Sequence, residues 1–162
     1  MNIGLRPVTS ALAAAMAVLL AGCGGESKND HAAGPSHGHS HQPKYGGTLV
    51  ELGEHQGNLE FVRDASAGRL TAYVLDAHAE NFVRVPLVSF TLATTIAGKA
   101  ETLVFQPVAN TATGEKPGDT SQFEASAGWI KTAPVFDAVL PQITVRGTSF
   151  KDVRFNFPKG NE

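Results

Sequence analysis

An all-β fold, an antiparallel β-sandwich of immunoglobulin-like or similar type, is what this sequence predicts from Tyr45 onward, behind a signal peptide and a disordered linker. Three observations carry the prediction. Short runs rich in Val, Leu, Phe, Tyr and Thr recur between residues 46 and 157, the composition of strands. Turn-forming residues punctuate them at Gly53, Gly57 and the stretches DASAGR and HAEN. The exception, GWIKTAPVFDAVL (128 to 140), contains Pro134, which limits it to a short helical turn or a covering loop.

In chain order the predicted strands are GGTLVEL (46–52), NLEFVRD (58–64), RLTAYVLDA (69–77) and NFVRVPLVSFTLAT (81–94). AETLVFQPV (100–108) follows, then the polar ANTATGEKPGDT (109–120), SQFEA (121–125), QITVRG (142–147) and SFKDVRFNF (149–157). In the last of these Phe150, Val153, Phe155 and Phe157 are the apolar set, with Arg154 and Asn156 facing the other way. Residues 45–158 form a domain long enough for a core of its own. A break near residue 98 is the candidate sub-boundary, residues 159–162 read as a tail, and no convincing internal repeat is present.

Ahead of this domain, MNIGLRPVTS carries Arg6 as its one charge and leads into the apolar run ALAAAMAVLLAG (11–22), which ends at Cys23. That run is shorter than the roughly 20 residues that cross a bilayer as a helix. A charged start followed by a short apolar core is a processing signal, here residues 1–22. Leu20-Ala21-Gly22-Cys23 resembles the bacterial lipobox, which implies cleavage before Cys23 and a covalent lipid on its thiol. Two or three acyl chains make a durable anchor where one holds weakly, so the resemblance implies a membrane-tethered protein facing the periplasm. Gly24 stands where an Asp retains such lipoproteins in the inner membrane, which favours the outer one. Cys23 is the only cysteine, leaving no intrachain disulfide. The net charge of -2 argues against a nucleic-acid partner, which calls for a basic face.

Residues 23–44 form the acylated cysteine and a flexible tether, in which Ala32 and Ala33 are the apolar residues. Such a segment buries too little apolar surface to offset the entropy of ordering. It lets the domain ride about 25 Å from the membrane. His31, His37, His39 and His41 all lie in it. The alternate spacing of His37, His39 and His41 suits weak, exchangeable capture of zinc, copper or nickel; a soluble spacer that happens to be His-rich is the other reading.

A more defined site follows from a hairpin. If DASAGR closes it with Asp64 opposite Arg69, Phe61 falls opposite Ala72, Leu59 opposite Val74, and His55 opposite His78. Directly opposed residues have Cβ atoms about 4.5–5.5 Å apart, within reach of one metal ion. Asp76, Glu80, Glu54 and Glu60 supply carboxylates nearby, and a mixed imidazole and carboxylate set suits zinc or cupric copper. The competing reading makes His55 and His78 turn residues that cap backbone groups.

The run from Tyr45 to Val85, behind its His-rich leader, resembles segments of bacterial envelope lipoproteins and of the metal-associated N-terminal region of periplasmic adaptor subunits of heavy-metal efflux systems. Gly46-Gly47, Glu51-Leu52-Gly53, Leu59-Glu60, Asp64, Gly68, Tyr73 and Leu75-Asp76 carry the likeness, with Tyr45 standing where the pattern has its first histidine. The likeness implies metal-efflux components as partners. The long coiled-coil helices of such adaptors have no counterpart in this sequence.

His-Glu-x-x-His, Cys-x-x-Cys and phosphate-loop motifs are all missing from the chain, and no strand-to-helix nucleophile elbow is predicted, which argues against an enzyme. Met1 and Met16 both lie in the signal, so the processed chain offers neither the thiolate nor the thioether of a blue-copper centre. The expectation is a non-catalytic, lipid-anchored envelope protein that binds zinc or copper as an accessory of metal tolerance or efflux. The alternative is a structural or interaction lipoprotein whose sandwich docks on another envelope component, with incidental histidines.

Overall fold

Asp64 and Arg69 do face each other across the DASAGR turn, and their pairing sets the register of the first hairpin. The computed structural model describes residues 41–161. The signal segment, Cys23 and the linker through residue 40, with His31, His37 and His39, lie outside the described residues. β1 (Thr48–Leu52), β2 (Gly57–Asp64) and β3 (Arg69–Leu75) form a meander, with Leu59 opposite Val74 and Phe61 opposite Ala72 as the hairpin predicts. Asp64 locks its own turn, accepting from the Ser66 hydroxyl at 2.7 Å and the Ala67 N–H at 3.0 Å. The Ala67 and Ser66 hydrogen bonds, with Arg69 nearby, hold its carboxyl below the usual range.

β4 (Phe90–Ile96), β5 (Lys99–Pro107) and β6 (Gln122–Ser126) follow, then a single 3-10 turn at Gly128–Lys131, β7 (Phe136–Val145) and β8 (Thr148–Phe157). Every pairing is antiparallel, in the order β1-β2-β3-β6-β5-β4-β7-β8. The sheet is all-β and nearly closed. β5 belongs to both of its halves, pairing with β4 along Lys99–Phe105 and with β6 through Gln106 and Pro107. Gly98, the break seen in the sequence, sits in the tight turn joining β4 to β5.

The period-2 alternation of each strand sends one face inward. Phe90, Leu92, Leu103, Phe105, Phe136, Ala138 and Leu140 from one half meet Leu59, Phe61, Leu70, Ala72 and Phe123 from the other, all buried. Phe61 of β2 stacks on Phe155 of β8 at 5.0 Å and meets Phe105 of β5 edge-on at 5.8 Å. Phe90 stacks on Phe105 at 4.7 Å and stands edge-on to Phe123 at 5.3 Å. The pairs that cross the halves, Phe61 with Phe155 and Phe105 and Phe90 with Phe123, fix how they face each other.

Three elements differ from the sequence reading. Residues 81–89 form a connection with isolated bridges at Phe82 and Val85, and the strand proper starts at Phe90; Pro86 has no N–H to donate to a ladder. β7 begins at Phe136, well before QITVRG, and runs through Pro141. That proline is tolerated because pairing with β4 stops at Val139, leaving the later residues with β8 alone, the edge setting in which strand prolines occur. Asp152, opposite Pro141, has φ +52, and both strands turn over there: Leu140 and Phe155 point inward before the kink, Ile143 and Phe150 beyond it. The C-terminal tail is also engaged. Gly160 exchanges backbone hydrogen bonds with Asn156 at 2.7 and 3.0 Å, and the Asn161 side chain reaches β1.

Candidate metal centre

From Gly57 to Phe61, β2 is buried on both faces, because the outward side chains Asn58 and Glu60 are 0% exposed. Buried polar groups of this kind are costly unless hydrogen-bonded, and each of these holds a segment that carries a histidine. Asn58 donates its amide to the carbonyls of Asp76 and Ala77 at 2.9 and 3.1 Å, fixing the turn in which His78 stands. Glu60 accepts three backbone N–H bonds from the chain entering the domain. Lys44 donates to Oε2 at 2.8 Å, and Tyr45 and Gly47 donate to Oε1 at 2.7 and 2.9 Å.

The entering segment is held along its length. Tyr45 lies on Tyr73 at 4.4 Å and against Phe82 at 6.1 Å. The Lys44 ammonium donates to the Glu80 carbonyl and sits 5.2 Å above the Phe82 ring. The Gly-Gly step is required here: a Cβ on Gly47 would come within 2.5 Å of the Phe61 carbonyl oxygen. Residues 44–47 are therefore seated on the outer face of β2 and β3.

His41, three residues upstream of Lys44, meets both histidines of the proposed hairpin site. Its ring centroid is 5.7 Å from that of His55 and 6.0 Å from that of His78. Its Nε2 is buried and has no hydrogen-bond partner among the described residues. His55 lies in the turn after β1 with φ +54, a conformation uncommon outside glycine. Glu51 holds it there, accepting the His55 N–H at 2.6 Å and standing 3.5 Å from its Nδ1. The ring itself is exposed, which leaves Nε2 for another partner.

His41 thus lies near both rings, but the ladder runs only from Asn58–Leu75 to Asp64–Arg69, so His55 and His78 are turn residues beyond it and not the directly opposed pair that the hairpin predicts. Among the described residues no group of three or more His, Cys, Asp or Glu side chains is assembled as a ready-made metal shell. Two of the carboxylates named from the sequence, Asp76 and Glu60, have other work, and the side chains of Glu54 and Glu80 are exposed. Asp76 Oδ1 accepts from the N–H groups of Glu80 and Asn81 at 2.9 and 3.2 Å, and Oδ2 from the Asn81 amide at 2.7 Å. Burial pushes the Asp76 carboxyl up, but the Asn81 side chain and the Glu80, Asn81 and His78 N–H groups outweigh it, leaving the net shift downward. Glu60 is occupied by the entering segment, and Glu80 is exposed, with its carbonyl taken by Lys44.

Sequence reasoning missed the roles of Asn58, Glu60 and Glu51. The one signal for them was a pair of polar residues, Asn58 and Glu60, on the same side of a strand otherwise rich in apolar residues. Among the described residues no helix is long and apolar enough to cross a membrane. No protein-family model, curated protein or solved structure matches the chain.

Proposed function

We propose that the chain is a non-catalytic, lipid-anchored protein of the bacterial envelope that binds a divalent ion, zinc or copper, through His41, His55 and His78. One observation carries this reading: the buried Nε2 of His41, without a hydrogen-bond partner among the described residues, beside two accessible imidazoles. Neutral imidazoles are the commonest ligands for such ions near neutral pH, and nitrogens bind zinc at about 2.0–2.1 Å. The reading requires the exposed His55 and His78 rings to rotate toward His41. His37 and His39 lie on the same segment as His41 and supply further, looser ligands. Anchored through Cys23 and facing the periplasm, the protein serves metal tolerance or efflux as an accessory to efflux components.

Equilibrium dialysis of the full chain against zinc and cupric ions at micromolar free metal tests this. One tight equivalent is expected, weakened at least tenfold in each of His41→Ala, His55→Ala and His78→Ala, with weak residual uptake by the tether. Unchanged uptake in the triple variant would refute the site.

The interaction reading has a different observation in its favour. The outer face of β4, β5, β7 and β8 is dished into a hollow of about 740 Å³ lined in part by Ala93, Thr95, Val139, Asp137 and Arg154. A photo-crosslinker placed at Thr95 is expected to trap one defined envelope protein in cells on this reading, and diffuse or absent adducts count against it.

A further inference from the structure

We propose that metal capture and docking of the tether onto the domain are one coupled event, with Glu60 as the positioning residue. The inference rests on the metal reading above and adds its regulation. The Glu60 carboxylate is fully buried, and both of its oxygens are occupied only because residues 44, 45 and 47 bring their N–H groups to it. Lifting that segment exchanges three charge-assisted hydrogen bonds, which are about twice as strong as neutral ones, for bonds to water. Strand and segment therefore need each other.

The seat is nonetheless shallow on its other side. Tyr45, stacked on Tyr73, remains 53% exposed, so the segment rests on the surface with one face open to solvent. The same segment carries His41 to His55 and His78. With residues 44–47 lifted, His41 is one more histidine on a flexible chain, and coordination must order it. With them seated, that ordering is already done, which tightens binding by pre-organisation. Linkage is reciprocal: whatever seating contributes to metal affinity, a bound metal returns to seating. A divalent ion at the three imidazoles thus pins the tether to the domain, and Glu60 sets how strongly.

The test uses the full chain in detergent, with zinc as the probe. In the metal-free protein, amide exchange at Tyr45 and Gly47 and the nuclear Overhauser contact between the His41 and His78 rings report seating. Glu60→Gln keeps an acceptor oxygen for Tyr45 and Gly47 but turns an amide NH2 toward the Lys44 N–H. It is expected to speed exchange at both amides, weaken the ring contact and raise the zinc Kd about tenfold, within the 10–100-fold range typical of residues that support metal ligands. Tyr45→Ala removes the stacking on Tyr73 without touching a buried residue, so it guards against a Glu60 variant that fails to fold, and the same pattern is expected of it. Zinc added to the unaltered protein should slow exchange at Tyr45 and Gly47. If the unaltered protein binds zinc and both variants keep its affinity, or if zinc leaves those amides unmoved, the coupling is overturned while the metal reading stands. If the unaltered protein takes up no zinc, the metal reading falls and the coupling with it.

Discussion

Asn161 pairs its side-chain amide with both backbone groups of Glu51, donating to the carbonyl at 3.0 Å and accepting from the N–H at 2.8 Å. The amide behaves as one more peptide unit beside the outer edge of β1, where a neighbouring strand would otherwise lie. It satisfies edge groups that invite pairing with other chains. Net contributions of such bonds are about 1 kcal/mol each. Asn161→Ala is expected to lower stability by about 1–2 kcal/mol, read as a fall in urea midpoint at unchanged m-value.

The aromatic centre of the core gives a larger effect. Phe61 lies between Phe105 and Phe155 and is 0% exposed. Phe61→Ala removes a ring from the contact between the two halves and is expected to cost about 3–5 kcal/mol. A double-mutant cycle with Phe155→Leu should return a coupling of about 0.5–1.5 kcal/mol for the stacked pair, measured by urea unfolding.

Acid sensitivity should centre on Glu115, which organises the polar loop between β5 and β6. Its Oε1 accepts from the Ser121 N–H and hydroxyl at 2.9 and 2.6 Å, its Oε2 accepts from Thr113 at 2.8 Å, and Arg84 stands 3.9 Å away. Burial raises the Glu115 carboxyl, but the Ser121 and Thr113 hydrogen bonds and the Arg84 charge outweigh it, so its pKa is lowered from 4.5. A carboxyl depressed in the folded state stabilises it above the unfolded value, and that contribution is lost as pH falls through the folded one. The loss is therefore expected below about pH 4.5. Glu115→Gln should lower the thermal midpoint near neutral pH and make its decline with acidification over that range shallower than in the unaltered protein.

Much of the fold was legible because its determinants are local. The register of β2 and β3 follows from one turn, whose first residue, Asp64, closes it through Ser66 and Ala67. The apolar alternation of β8 is likewise a property of adjacent residues. Asn58 and Glu60 were illegible for the opposite reason. A polar residue alternating with apolar ones reads as solvent-facing, and what buries them arrives from residues 44–47 and 76–77. The early start of β7 was hidden by Pro141, since whether a strand tolerates proline depends on where its neighbour stops pairing. The meeting of His55 and His78 with His41 needed all of this: a hairpin register visible in the sequence, and a seat for the entering chain that was not.

The kink at Pro141 and Asp152 also reaches the histidines. Beyond it Phe150 points inward and lies against Gly53, where an added Cβ would come 2.9 Å from its ring. Gly53 opens the turn that carries His55, so the tip of the β7–β8 hairpin buttresses that turn from below. Residues far along the chain, with no ligand chemistry of their own, thereby help set the stance of a candidate ligand. A substitution that reshapes Phe150 therefore acts on the histidine turn as well as on the core.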